Sequence, residues 1–212
     1  MNRVAQGVRS VGVVTAMAVV MSLSTLTSAA EFPTPADTET SEAQPMAARE
    51  AAATASLPPG FRLEVFASEP DVCNPIAMAT DGQGRLWVAE NYTWAGNGLG
   101  VWDDSLRDRL VVFEDLDGDG QHDERTVFWE GGTRLTSVAV GLGGVWVIDL
   151  PQVLFIPDHD NDLVPDGPPE VVLDGLDETS VGHTPANGLT WGPDGWLWGR
   201  HGQARLVLSF TL

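Results

Sequence analysis

The sequence predicts an all-β fold built from repeated four-stranded antiparallel units. Three observations carry that expectation. From residue 57 onward, short apolar stretches with period-2 alternation are separated by turns rich in Gly, Pro and Asp. A Gly-x-aliphatic-Trp signature recurs at Gly84–Trp87, Gly143–Trp146 and Gly195–Trp198, at offsets of 59 and 52 residues. A ladder of aspartates at Asp115, Asp117, Asp119 and Asp123 returns 43 residues later at Asp158, Asp160, Asp162 and Asp166. Four strands per roughly 40–60 residues is the pattern of a β-propeller blade. A β-sandwich competes, but it would not repeat turn and loop chemistry at one period.

The elements follow in order. Residues 1–30 read as a secretory signal peptide, with Arg3 and Arg9, an apolar run over 11–26 and the small-residue site Ser28-Ala29-Ala30. An uncleaved N-terminal anchor is the alternative. Residues 31–56 are rich in Ala, Thr, Pro and Glu, a composition that buries no core and predicts a disordered linker. Residues 61–67 alternate apolar and polar and predict a strand. In the first unit, strands are expected over 75–80, 85–89, 109–113 and 125–129. In the second they fall over 135–140, 145–148, 152–156 and 170–173, and a third unit begins at 187–191 and 196–198. Trp87, Trp146 and Trp198 repeat with the units and read as core. The closing residues 205–212 lack this turn chemistry and are not assigned to the fold. Residues 57–212 then amount to two to three blades, a partial and truncated propeller, since closure needs at least about four.

Composition narrows the function. The formal charge of −19 becomes −21 once residues 1–30 are removed, and the chain has no Lys. Nucleic acid and anionic membrane surfaces want Lys and Arg, so both are excluded as partners. The acidity suits an exported protein that binds cations, in the periplasm, the cell envelope or outside the cell. The single Cys73 forbids an internal disulfide and reads as a small apolar residue.

Each ladder has the chemistry of a calcium loop. Carboxylates at positions 1, 3 and 5 converge, a main-chain carbonyl at position 7 adds an oxygen, and Gly at 6 permits the sharp turn. The first set is Asp115, Asp117, Asp119, Gln121 and Asp123. The second is Asp158, Asp160, Asp162, Val164 and Asp166. Position 12 of the first loop is Thr126 rather than a bidentate Glu, which predicts weak binding, ~10⁻⁴ to 10⁻³ M. The second loop has Leu163, a residue that disfavours the sharp turn, where the first has Gly120. A solvated acidic turn is the alternative for both. His183, in Gly182-His183-Thr184-Pro185, enters an innermost strand and is a candidate general base; its alternative is a His that bonds a neighbouring loop. The loop from Glu90 to Asp104 is rich in Trp, Tyr and acid, a composition suited to sugar or quinone binding.

Several of these stretches together resemble one family. They are residues 57–61 (Leu-Pro-Pro-Gly-Phe), Asn74-Pro75, residues 81–90, the ladder at 115–123, and His183 with residues 187–195 (Asn-Gly-Leu-Thr-Trp-Gly-Pro-Asp-Gly). The family is the N-terminal propeller of the membrane-bound dehydrogenases of planctomycetes and verrucomicrobia. That propeller is similar to soluble sugar dehydrogenases that use pyrroloquinoline quinone. The resemblance covers about residues 57–202 and implies a six-bladed propeller, often followed by helical repeats and a c-type cytochrome domain. It implies a sugar or alcohol substrate, a cytochrome c-type electron acceptor, and His183 as the base that takes the hydroxyl proton. The sugar dehydrogenases carry a Gly-Asp after the next strand, where this sequence reads Gly202-Gln203. No Cys-x-x-Cys-His motif is present, so this segment binds no haem. Two readings stand: a quinone-dependent dehydrogenase-like propeller, or a non-enzymatic calcium-stabilised propeller that binds glycan or a protein partner.

Overall fold

The computed structural model describes residues 45–94, 102–176, 185–201 and 207–210. The expected signal peptide, most of the expected linker, His183 and Gln203 lie outside the described residues. What is described consists of antiparallel β-sheets and one short helix, α1 (Ala48–Thr54). The first sheet is β1 (Pro75–Thr80), β2 (Leu86–Glu90), β3 (Asp108–Glu114) and β4 (Glu124–Gly132). The second is β5 (Leu135–Val140), β6 (Gly144–Asp149), β7 (Gln152–Pro157) and β8 (Glu170–Leu173). In the third, β9 (Ala186–Trp191) pairs with β10 (Leu197–His201), and β10 with β11 (Val207–Phe210). Each sheet is a meander whose strands lie in chain order.

Alternation along the strands builds two opposed faces per sheet. Trp87, Ala89, Leu110 and Val112 point one way, against Val138, Val145, Val147 and Ile156 of the second sheet. The intervening residues of the second sheet, Trp146, Ile148 and Val153, pack with Leu189 and Leu197 of the third. The second sheet is thus apolar on both faces, which is why β6 reads Val-Trp-Val-Ile without a polar break. On the far face of the first sheet, Val88, Val111 and Phe113 are covered by Phe66, Ala67 and Val72. The first strands of the sheets are neighbours, β1 beside β5 and β5 beside β9.

Four expectations need correction. Residues 61–67 do not form a strand; they run irregularly along the first sheet, and Phe66 offers its carbonyl to the main-chain N–H of His122 at 3.3 Å. The expected linker contains α1, a run of Ala, Arg and Glu in which helix propensity is high. Val207–Phe210 pairs antiparallel with β10, so those residues do join the third sheet. Trp87 and Trp146 are buried, but Trp198 is 38% exposed and is not core.

Candidate metal centre

Both aspartate ladders lie on the hairpin between the third and fourth strands of a four-stranded sheet. Residues 115–123 join β3 to β4, and residues 158–169 join β7 to β8. The closing bond is the same in each. Asp123 donates its main-chain N–H to the Glu114 carbonyl at 2.8 Å, and Asp166 donates to that of Pro157 at 2.9 Å. One carboxylate then folds back over the loop's start. Asp123 Oδ2 accepts the N–H of Leu116 at 2.6 Å, and Asp166 Oδ2 accepts that of His159 at 2.7 Å.

The backbones match turn for turn. Gly118 and Gly120 have φ of +76° and +87°, and their equivalents Asn161 and Leu163 have φ of +58° and +68°. Leu163 therefore makes the turn that its side chain left in doubt. The left-handed conformation costs a non-glycine residue roughly 1–2 kcal/mol. Burying the Leu163 side chain among Trp87, Phe128 and Ile156 offsets that, by about 1.5–3 kcal/mol.

The carboxylates of Asp115, Asp117 and Asp119 converge, with ligand oxygens within 4.8 Å of one another, and those of Asp158, Asp160 and Asp162 do the same. The two sets differ in what else satisfies them. Asp115 Oδ1 accepts the N–H groups of Gly118 at 2.7 Å and Asp119 at 3.2 Å, and its Oδ2 accepts that of Gly120 at 3.0 Å. Asp158 is 1% exposed, and its Oδ1 has no hydrogen-bond partner. Burial pushes the Asp158 carboxyl above the usual range, and the charge of Asp162 adds to this, against the amides of Asp162, Leu163 and Asn161. Hard carboxylate and carbonyl oxygens suit Ca²⁺ or Mg²⁺, not softer metals. The unsatisfied buried oxygen fits such an ion. Gln121 and Val164 stand at the carbonyl-donating positions of the two loops. Asp123 and Asp166 each commit an oxygen to the loop backbone. Thr126 lies within β4, paired with Val112, which is why the first loop has no ligand at position 12.

A second feature lies where the first strands meet. A cavity of about 410 Å³ is lined by Met78 of β1, Thr136 and Ser137 of β5, Asn187 of β9 and Arg200 of β10. Arg200 Nη2 donates to Asn187 Oδ1 at 3.1 Å. Gly188, at φ +71°, leaves room for this guanidinium: a Cβ there would stand 2.9 Å from its Nε.

The chain belongs to the DUF7133 family. Described as "Domain of unknown function (DUF7133)", the family model matches residues 47–210. No curated protein and no solved structure matches the chain. The DUF7133 match begins at Ala47, immediately before α1, and ends at Phe210, the last residue of β11.

Within this DUF7133 chain, His183 is outside the described residues, so no geometry attaches to it. Part of the loop read as a ligand platform serves the fold instead. Tyr92 is buried, its hydroxyl between Glu90 Oε2 at 3.2 Å and Arg109 Nη2 at 2.8 Å. Trp94 and Trp102 stack edge to face with centroids 5.0 Å apart. Arg85 and Arg200 had no role assigned from sequence, and Leu163 stood out there only as a departure from glycine. In a chain with 11 arginines and no lysine, an Arg directly after a repeated turn is the signal that could have found Arg85.

Proposed function

We propose that this segment forms consecutive blades of a β-propeller in an exported protein, with one Ca²⁺ held in each aspartate loop. The observation that carries the metal reading is Asp158: a buried carboxylate with an unpartnered Oδ1, set within 4.8 Å of two further carboxylates. Left so, the unpartnered oxygen costs about 1–3 kcal/mol, which a bound cation would offset. The propeller reading is supported by two meanders stacked face to face, their first strands adjacent, with the same loop between their third and fourth strands.

Within that architecture we propose a quinone-dependent sugar or alcohol dehydrogenase-like role, on the strength of the resemblance at residues 57–61, 74–75, 81–90, 115–123 and 183–195. Pyrroloquinoline quinone, when bound, would supply the hydride acceptor. His183 would take the substrate hydroxyl proton, three positions before β9. Arg200, Asn187 and Ser137 line the cavity beside that strand and offer donors to hydroxyl or carboxylate oxygens. A cytochrome c-type protein would accept the electrons.

Two measurements test these parts separately. Calcium titration followed by thermal melting should raise the Tm at millimolar Ca²⁺, with the rise reduced in Asp117→Asn and in Asp158→Asn. No rise in the unsubstituted protein rejects the cation reading. The full-length protein with pyrroloquinoline quinone and Ca²⁺ should reduce a redox dye with a sugar or alcohol, and His183→Ala should abolish this. No dye reduction with any such substrate rejects the enzyme reading and leaves a calcium-stabilised propeller that binds glycan or protein.

A further inference from the structure

We infer that the cation of the second loop is a latch between the first and second sheets, with Arg85 as its positioning contact. This rests on the proposed cation reading of the Asp158 loop and adds what the ion controls. The first loop, by contrast, hydrogen-bonds α1 and the irregular segment at 61–67.

The second loop reaches across to the first sheet in two ways. Arg85 Nη1 donates to the main-chain carbonyl of Asn161 at 3.1 Å, across 76 positions of sequence. Arg85 is itself buried and pinned, since its Nε donates to Asp81 Oδ2 at 2.6 Å, and the same oxygen accepts Trp87 Nε1 at 2.9 Å. A continuous polar path therefore runs from Trp87 in β2 through Asp81 and Arg85 to the loop. Beside it, the Leu163 side chain enters the core between the two sheets. Asn161 and Leu163 alternate with the donors Asp160 and Asp162. An ion that fixes Asp160 and Asp162 would therefore fix the Asn161 carbonyl and the Leu163 side chain beside them.

The second loop also has the greater need of an ion. Asn161 and Leu163 adopt positive φ without being glycine, and of the two only Asn takes that region readily. Its buried Asp158 Oδ1 lacks a partner, whereas both oxygens of Asp115 accept main-chain N–H groups. The ion closes that deficit and leaves the turn poised to grip Arg85.

The first loop lines a cavity beside Arg85 and Asn161, but its outward hydrogen bonds go elsewhere. Gln121 Oε1 accepts from Arg49 Nη2 of α1 at 2.6 Å, His122 Nδ1 lies 2.8 Å from the Phe66 carbonyl, and the Glu64 carboxylate occupies the space where Gly120 lacks a Cβ. No side chain of that loop stands where Leu163 stands in the second.

Hydrogen exchange of the full chain, with and without Ca²⁺ and alongside direct measurement of Ca²⁺ uptake, tests the latch. Asp160→Asn removes an exposed donor of the second loop without touching the core, and Asp117→Asn does the same for the first. The expected result is that Ca²⁺ slows exchange across residues 81–90 at least tenfold in the unsubstituted protein and in Asp117→Asn, and has no such effect in Asp160→Asn. Uptake that Asp160→Asn diminishes, with unchanged exchange over 81–90, overturns the latch and leaves the site standing. Protection over 81–90 lost equally in Asp117→Asn also overturns it. Uptake unaffected by Asp160→Asn overturns the cation reading of the second loop, and the latch with it.

Discussion

The Asp108 carboxylate accepts the main-chain N–H of Leu135 at 2.8 Å, so the first residue of β3 in one sheet holds the first residue of β5 in the next. The same carboxylate takes the N–H groups of Tyr92 at 2.7 Å and Thr93 at 2.9 Å and the Thr93 hydroxyl at 3.0 Å. Four donors converge on one buried group, and three of them are main-chain.

Asp108→Asn is therefore not a conservative change. Whichever way the amide is turned, its NH₂ faces a main-chain N–H that has lost its acceptor. The expected cost is about 1–3 kcal/mol. Urea unfolding should show a lower midpoint with an unchanged slope. An unchanged midpoint would show that the Leu135 tie is dispensable.

Stability should also respond to pH through Asp108 and Asp149. Burial pushes both carboxyls above the usual range, more than their bonds from Leu135, Thr93 and Tyr92, or from Arg134 and Thr133, pull them down. A carboxyl raised in the folded state binds its proton more readily there than in the unfolded chain. Its contribution is full below the unfolded pKa of about 3.9 and is lost as pH rises through the folded value. Asp149→Asn should start less stable at pH 4 yet lose less stability than the unsubstituted protein between pH 4 and 7. Parallel pH profiles would contradict the assignment.

Glu90 and Arg109 form a buried pair. Glu90 is fully buried; its Oε2 accepts Arg109 Nε at 2.5 Å and its Oε1 accepts the Cys73 N–H at 2.7 Å. Arg109→Met leaves Glu90 only the Arg125 guanidinium, 3.8 Å away, and should cost up to about 3 kcal/mol. Adding Glu90→Gln to that variant should recover part of the loss, because the buried charge no longer lacks its nearer partner. A double-mutant cycle checks this, and strict additivity of the two changes would argue against coupling.

Leu163 permits a comparison in which two effects oppose. Leu163→Ala and Leu163→Gly both forfeit the buried side chain, about 2–5 kcal/mol. Only glycine also releases the positive-φ strain, about 1–2 kcal/mol. Leu163→Gly should thus be the more stable of the two by roughly 1 kcal/mol, the reverse of the usual order of Ala and Gly within a strand or helix. Alanine equal to or above glycine in Tm would mean that the turn relaxes without the leucine.

Much of the fold was legible because its causes are local. Period-2 alternation and Gly- or Asp-rich turns placed β1 to β9 within a residue or two, apart from the end of β4, which runs three residues further, to Gly132, and the repeated ladder announced two equivalent hairpins. Residues 61–67 alternate just as clearly but do not form a strand. Alternation says which residues can share a face; it does not supply a neighbour whose N–H and C=O groups are free to pair. The helix at 48–54 was hidden for the converse reason, since its Ala-rich composition reads as linker unless something docks it, and Arg49 meets Gln121 only in the folded chain.

The sequence by itself determined the antiparallel meanders, the positions of the two aspartate loops and the acidity of the chain. Each of these depends on residues within about ten positions of one another. Only the tertiary structure decided which loop carries a buried, unpartnered carboxylate, that Leu163 turns like a glycine, and that Arg85 and Asn161 meet across two sheets. Those outcomes depend on which surfaces exclude water together, and the residues that meet there are tens of positions apart in the chain.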